Sequence, residues 1–105
     1  MFINQTKQGN LWIDDMRPAP EGYYWCKDYK TAIKVIKFYS LFGRGINHIS
    51  FDHDLGEEKS GYDIAKYLIE NQIDIKCFSV HSMNPVGRNN IIQLLTHYGY
   101  VELKW

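Results

Sequence analysis

Short apolar segments alternate along this chain with longer segments whose apolar residues recur at helical spacing. Strands that alternate with helices favour a parallel sheet with right-handed connections and with helices covering both faces. The short segments predict five strands, at residues 10–13, 23–26, 48–51, 75–80 and 100–103. The sequence therefore predicts an α/β fold with a single doubly wound, five-stranded parallel sheet.

Start and stop residues predict three helices. Asp28 caps the first, and Ser60 or Gly61 opens the second. Asn84 caps the third ahead of a proline at its first position, and Gly99 ends it. The residues predicted to face the core are Ala32, Val35, Ile36, Tyr39, Phe42, Ile64, Ala65, Leu68, Ile69, Ile91, Leu94, Leu95 and Tyr98.

Length, charge and cysteine usage restrict the class of protein. A chain of 105 residues is long enough for one domain, expected over residues 1–105. The 12 basic and 12 acidic residues give zero net charge, so we expect no broad nucleic-acid surface and no membrane-binding field. Two separated cysteines, the lack of a membrane-length apolar run and the lack of a secretory segment predict a cytoplasmic protein.

Acidic residues follow two of the predicted strands. Asp14 and Asp15 end the first strand, and Asp52 and Asp54 follow the third. Parallel strands end at one edge of a sheet, so these carboxylates are expected to meet there. Because crowded carboxylates repel, they predict a site for Mg²⁺ or Mn²⁺. The alternative is a pair of solvated acidic turns.

The segment after the fourth predicted strand has the features of a phosphate site. A helix that starts at Asn84 offers free N–H groups, Gly87 allows close approach, and Arg88 adds a guanidinium. Ser82 and Arg17 are further candidates for binding phosphate. The alternatives are an ordinary helix start and, for Arg17, a turn that replaces a missing helix.

The strand-end residues resemble those of the receiver domains of two-component response regulators. Asp14 and Asp15 match the acidic pair, Asp52 falls at the phospho-acceptor position, and Lys104 is a candidate for the receiver lysine. The resemblance implies the receiver-like (flavodoxin-like) strand order 2-1-3-4-5. The chain departs from it in a reduced first helix, in the lack of a fifth helix, and in His81 at the switch Ser or Thr position.

A closer resemblance is to the family of cyclic-phosphate-processing receiver domains. It rests on three separated segments, WIDDMRP at residues 12–18, SFDHDLG at 50–56 and HSMNPVGRN at 81–89. The resemblance implies a metal-assisted phosphoesterase that acts on a cyclic phosphate. The substrate would be a cyclic nucleotide or an RNA end with a 2′,3′-cyclic phosphate, and no protein partner is indicated.

The histidines are compatible with that chemistry. Opening a cyclic phosphodiester needs a base, an acid and a cation that offsets developing charge. Because histidine as a residue type ordinarily titrates near neutrality, His53 and His81 are predicted to share the first two roles beside Asp52, with His53 as the base. Alternatively, both are structural hydrogen bonders. His48 and His97 fall outside this group and are predicted to be structural.

Three functional classes remain open on the sequence. The first is the phosphoesterase, which the paired histidines favour. The second is a stand-alone receiver that accepts a phosphoryl group on Asp52, and the lack of a fifth helix counts against it. The third is a non-catalytic module that binds a nucleotide or a protein.

Overall fold

The computed structural model describes residues 9–104, and residues 1–8 and 105 of the expected domain lie outside this range. Its strands are all parallel, in the order β2-β1-β3-β4. The α/β class and the predicted order of the first four strands are therefore confirmed. The elements are β1 (Asn10–Ile13), β2 (Tyr24–Cys26), α1 (Tyr29–Leu41), β3 (Ile46–Phe51), α2 (Gly61–Glu70), β4 (Ile75–Val80) and α3 (Pro85–His97).

The predicted helix starts are confirmed by their capping contacts. The Asp28 carboxylate accepts a hydrogen bond of 2.7 Å from the N–H of Thr31 and caps α1. A capping box formed by Ser60 and Asp63 opens α2. Asn84 caps α3. Each cap satisfies N–H groups that the first helical turn leaves without a partner inside the helix.

The predicted fifth strand at residues 100–103 is present only as a single bridge beside β4. Glu102 forms an isolated parallel bridge with Phe78, and the N–H of Leu103 donates to the carbonyl of Phe78 at 2.6 Å. Val101 and Leu103 are exposed, so this segment buries no apolar row against the sheet. Without that burial, the pairing does not extend beyond one bridge, and the sheet of residues 9–104 has four strands.

The prediction that helices cover both faces, as in a doubly wound sheet, is also wrong. Helix α1 packs against α2 and α2 against α3, and their buried residues join one cluster on one side of the sheet. The connections from β2 to β3 and from β3 to β4 cross the sheet in one direction, so right-handed crossovers place their helices on one side. Only a helix between β1 and β2 would run the other way, and residues 14–23 contain none.

The two faces of the sheet therefore differ in composition. We call the covered side the apolar face, and the register pairs place on it Leu11, Ile13, Cys26, Ile49, Phe51, Phe78 and Val80. We call the other side the helix-free face, because no helix within residues 9–104 packs on it. Its residues are Asn10, Trp12, Trp25, Ile46, His48, Ser50, Ile75, Cys77 and Ser79.

Two residues predicted to face the core are instead exposed. Phe42 and Tyr98 are the C-cap residues of α1 and α3, so each lies just beyond the last turn that the sheet can cover. No helix in the described part of the chain has the length and apolar character needed to cross a bilayer.

Candidate functional site

An open pocket lies at the carboxyl ends of β1, β3 and β4. Three register-paired residues, Ile13, Phe51 and Val80, end these strands. The next residues along the chain are Asp14 after β1, Asp52 after β3 and His81 after β4, so the strand register itself brings these three together. Lys104, the candidate for the receiver lysine, is exposed and does not line the pocket. The lining residues are Asp14, Asp15, Met16, Arg17, Asp52, Asp54, Gly56, Met83 and Asn84.

Asp14 is held by hydrogen bonds at both carboxylate oxygens. Its Oδ1 accepts from the N–H groups of Met16 at 2.8 Å and Arg17 at 2.7 Å. Its Oδ2 lies 3.0 Å from Nε2 of His81 and 3.5 Å from Nε of Arg17. Complete burial raises the pKa of Asp14, but these hydrogen bonds outweigh burial and hold the pKa below its ordinary value. Asp14 is therefore ionised at neutral pH.

The pKa of Asp52 is displaced in the opposite direction from that of Asp14. Burial and the neighbouring charge of Asp14 raise its pKa above the ordinary value. His81, a hydrogen bond from Ser82 and the charge of Arg17 oppose that rise without cancelling it. Two carboxylates in one pocket thus have pKa values displaced in opposite directions. A cation that binds both would relieve the repulsion that Asp52 feels.

His81 is fixed on three sides. Nε2 lies 3.0 Å from Oδ2 of Asp14, and Nδ1 lies 2.7 Å from the hydroxyl oxygen of Ser50. The indole of Trp12 stacks on the imidazole, with ring centroids 3.8 Å apart and planes 3° from parallel. Burial lowers the pKa of His81, and the hydrogen bond to Asp14 opposes this only in part. The ring is therefore neutral at pH 7 and rigidly oriented.

The geometry supplies a compact set of metal-ligating atoms. One atom each from Asp14, Asp52 and His81 lies within 4.8 Å of the others, a spacing that one divalent cation can bridge. The other predicted ligands, Asp15 and Asp54, line the pocket but do not belong to this set. The Asp14 and Asp52 oxygens suit a hard cation such as Mg²⁺ or Mn²⁺.

His53 lies in a neighbouring groove rather than in the pocket. Its Nδ1 is 2.9 Å from Oδ1 of Asp54, and both residues line that groove. A Cβ atom on Gly87 would collide with the imidazole of His53. Gly87 therefore provides space for the His53 ring, which is a packing role and differs from the phosphate approach that the sequence suggested.

The predicted phosphate-binding residues separate into two groups. Arg17 lines the pocket. Asn84 also lines the pocket, and its N–H donates to the hydroxyl of Ser82 at 3.0 Å. Arg88 does not line the pocket, and its Nη1 donates to the carbonyl of Val80 at 2.5 Å. Arg17 is therefore the guanidinium that a ligand in the pocket can reach, while Arg88 ties α3 to the end of β4.

The loop from Asp52 to Gly61 is closed at its base. The N–H of Gly61 donates to the carbonyl of His53 at 2.8 Å, and a Cβ atom on Gly61 would collide with the carbonyl oxygen of Asp52. At the tip side, Gly56 has a φ of +67°, and an added Cβ would lie 2.8 Å from Oδ2 of Asp15. These two glycines let the loop return to its starting point and present Asp52 to the pocket.

The sequence interpretation missed a row of polar residues behind His81. The hydroxyl of Ser79 donates to Ser50 at 3.0 Å and lies 2.8 Å from Nε2 of His48. The hydroxyl of Tyr23 lies 2.5 Å from Nδ1 of His48. His48 was predicted to stand outside any group. The alternation of polar residues in β3 and β4, on a side then expected to pack against helices, could have revealed this row.

A family model described as the cyclic-phosphate processing receiver domain matches residues 9–97. No curated protein and no solved structure matches the chain significantly. The matched stretch runs from β1 through α3 and includes every residue that lines the pocket.

Proposed function

The chain belongs to the family of cyclic-phosphate processing receiver domains, and on that premise we propose that it is a metal-assisted phosphoesterase that opens a cyclic phosphodiester. The observation that carries this proposal is the convergence of Asp14, Asp52 and His81, because one carboxylate oxygen from each aspartate and one ring nitrogen of the histidine lie within 4.8 Å of one another. A buried carboxylate pair beside a fixed imidazole combines cation binding with proton transfer, the two requirements of this reaction.

The carboxylates supply the cation site. Asp14 and Asp52 would hold one Mg²⁺ or Mn²⁺, and Asp15, which lines the same pocket, would bind it directly or through water. When bound, the cation offsets the charge that develops on the phosphoryl oxygens. The raised pKa of Asp52 supports this assignment, because relief of its repulsion with Asp14 adds to the free energy of binding.

Three side chains are proposed to act on the phosphate itself. His81 directs a ring nitrogen into the carboxylate cluster. Its imidazolium form, a minor species at pH 7 because the pKa is lowered, would donate a proton to the leaving oxygen and return to the neutral ring. Arg17 would bind a non-bridging phosphate oxygen at the pocket mouth. His53 is the proposed base, because the groove that it lines adjoins the pocket and shares Asp54 and Gly56 with it. The pKa of Asp54 is lowered by its hydrogen bonds with His53 and Asn84, so an ionised carboxylate orients the imidazole.

The pocket also has apolar walls. Met16 and Met83 are 78% and 82% exposed, and both line the acidic pocket. Thioether side chains adapt to flat organic groups, which an inorganic cyclic phosphate would not provide. This favours a nucleoside-bearing substrate, either a cyclic nucleotide or an RNA end with a 2′,3′-cyclic phosphate.

The decisive experiment measures hydrolysis directly. Wild-type protein would be incubated with a panel of cyclic nucleotides and 2′,3′-cyclic phosphate oligonucleotides in Mg²⁺ or Mn²⁺, and the products followed by ³¹P NMR. We expect turnover that Asp52→Asn abolishes and that Asp74→Asn, a matched change at an exposed carboxylate outside the pocket, retains. His81→Ala should lower kcat roughly 10²–10⁴-fold.

Two results would contradict the proposal. One is the lack of turnover across the panel with both cations, and the other is wild-type turnover in Asp52→Asn. Incubation with a small phosphodonor distinguishes the phosphoesterase from a receiver that accepts a phosphoryl group. A phosphoryl adduct found by intact mass, and lost in Asp52→Asn, would make the chain a phospho-accepting receiver instead.

A further inference from the structure

A continuous chain of hydrogen bonds runs from the pocket across the helix-free face. We call it the relay chain, and it contains Asp14, His81, Ser50, Ser79, His48 and Tyr23. Its five donor–acceptor distances, starting at Asp14, are 3.0, 2.7, 3.0, 2.8 and 2.5 Å. The chain crosses from β4 to β3 and back, so it depends on the strand register rather than on one flexible loop.

The interior of the relay chain is screened from solvent. Ser50, Ser79 and His48 are at most 2% exposed. The Trp12 ring covers His81, and Tyr23 packs edge-on against Trp12 at 6.4 Å. Among the described residues, every buried side-chain nitrogen or oxygen has a hydrogen-bond partner. Water therefore does not compete for these hydrogen bonds, and each link constrains the next.

The hydrogen bonds can run in only one direction. Asp14 accepts from the backbone N–H groups of Met16 and Arg17 and faces the guanidinium of Arg17, so its Oδ2 is an acceptor and His81 donates from Nε2. The hydroxyl of Ser50 accepts from the hydroxyl of Ser79, so the Ser50 hydrogen points to Nδ1 of His81. Because a Ser hydroxyl has a single hydrogen, Nδ1 must accept.

The same logic continues away from the pocket. Ser79 uses its hydrogen toward Ser50, so its oxygen accepts from Nε2 of His48. Nδ1 of His48 is then the acceptor for the hydroxyl of Tyr23. Reversing the tautomer of His81 would require all of these hydrogens to reverse.

We propose that Ser50, Ser79 and His48 are positioning residues that hold His81 as its Nε2–H tautomer, with that N–H directed at Asp14. In this tautomer Nε2 bears a hydrogen and does not bind a cation. The inference deepens the proposed function, on which it rests for the role of His81. It makes Nε2 of His81 a hydrogen-bond donor and leaves the cation to the carboxylates of Asp14 and Asp52.

The test reads tautomers by ¹⁵N NMR of histidine-labelled protein, without metal or substrate. Wild-type His81 and His48 should each show a protonated Nε2 and an unprotonated Nδ1, since the two nitrogens have well-separated shifts. Ser50→Ala should move both histidines toward mixed tautomers. Ser50→Thr, which restores the hydroxyl, should return the wild-type pattern. Cys77→Ala is the matched control on the same sheet face, outside the relay chain, and should change neither tautomer.

Other results would overturn the inference. A wild-type His81 that is protonated at Nδ1, or at both nitrogens, contradicts it directly. An unchanged His48 in Ser50→Ala would show that the links are independent, and Ser79→Ala repeats this comparison if Ser50→Ala does not fold. Because no turnover is measured, failure here is distinct from failure of the phosphoesterase proposal.

Discussion

The two faces of the sheet are built from the same strands and are stabilised in different ways. In β3, Ile49 and Phe51 point to the apolar face, while His48 and Ser50 point to the helix-free face. The apolar face gains free energy from buried area, which has no preferred direction. The helix-free face buries polar groups, which are costly unless each finds a partner, so its contacts are directional.

This difference separates the two tasks of a small domain. The apolar face with its three helices supplies the hydrophobic core. The helix-free face leads at the strand ends to Asp14, Asp52 and His81, so its directional contacts orient the pocket. Adjacent residues of one strand should therefore respond differently to substitution.

The largest expected effect compares neighbours in β4. Phe78→Ala should lower the free energy of unfolding by about 3–5 kcal/mol, because it opens a cavity under α3. Ser79→Ala should cost about 1–3 kcal/mol, since it leaves Ser50 and His48 short of one partner. Urea denaturation measures both. A Ser79→Ala cost equal to that of Phe78→Ala would contradict the division between the faces.

A smaller effect compares the two carboxylates. The pKa of Asp14 is lowered, so its ionised form stabilises the fold at neutral pH, and that stability is lost as pH falls through its folded pKa. The pKa of Asp52 is raised, so its ionised form is unfavourable at neutral pH. Asp14→Asn should destabilise and Asp52→Asn should stabilise the metal-free protein at pH 7. Thermal melting checks the opposite signs, and equal signs would refute them.

Added Mn²⁺ should reverse the effect of Asp52→Asn on stability, so that the variant melts below the wild-type protein. A cation that binds only the folded state raises the free energy of unfolding, by about 2.7 kcal/mol at a hundredfold excess over Kd, and the melting temperature rises with it. Wild-type protein should show this rise, and Asp52→Asn should lose it. The control Asp74→Asn should keep it, because Asp74 lies outside the pocket.

The smallest effect concerns pH. Burial lowers the pKa of His48, so below the ordinary value of about 6.5 the unfolded state binds more protons than the folded state. Stability should therefore fall as pH decreases, with His48 contributing at most about 0.7 kcal/mol between pH 7 and pH 6. His48→Gln should flatten this slope, because it removes the titrating ring. Urea denaturation at the two pH values is the measurement.

The sequence was sufficient to predict that Asp14, Asp52 and His81 would lie near one another. Strands that alternate with helices end on one edge of a parallel sheet, and local caps such as Asn84 located the helices. It was not sufficient to separate Arg17 from Arg88. Arg88 does not reach the pocket because its guanidinium donates to the carbonyl of Val80, and the sequence does not indicate that contact.

The fifth strand and the helix-free face needed tertiary information. Residues 100–103 have a strand-like composition, but pairing depends on whether β4 offers an edge that buries them. The role of His48 depends on register, because Ser79 lies beside it only when β3 and β4 are aligned as they are.

The closed base of the loop between Asp52 and Gly61 separates the length of that loop from the geometry of the pocket. Its two ends are joined by the hydrogen bond from Gly61 to His53, while Glu58 at the outside is exposed. Extra residues inserted at an exposed loop tip add only a small closure entropy. Glu58 is therefore a suitable insertion point for a reporter peptide or a fluorescent label that reports on the pocket without displacing Asp52.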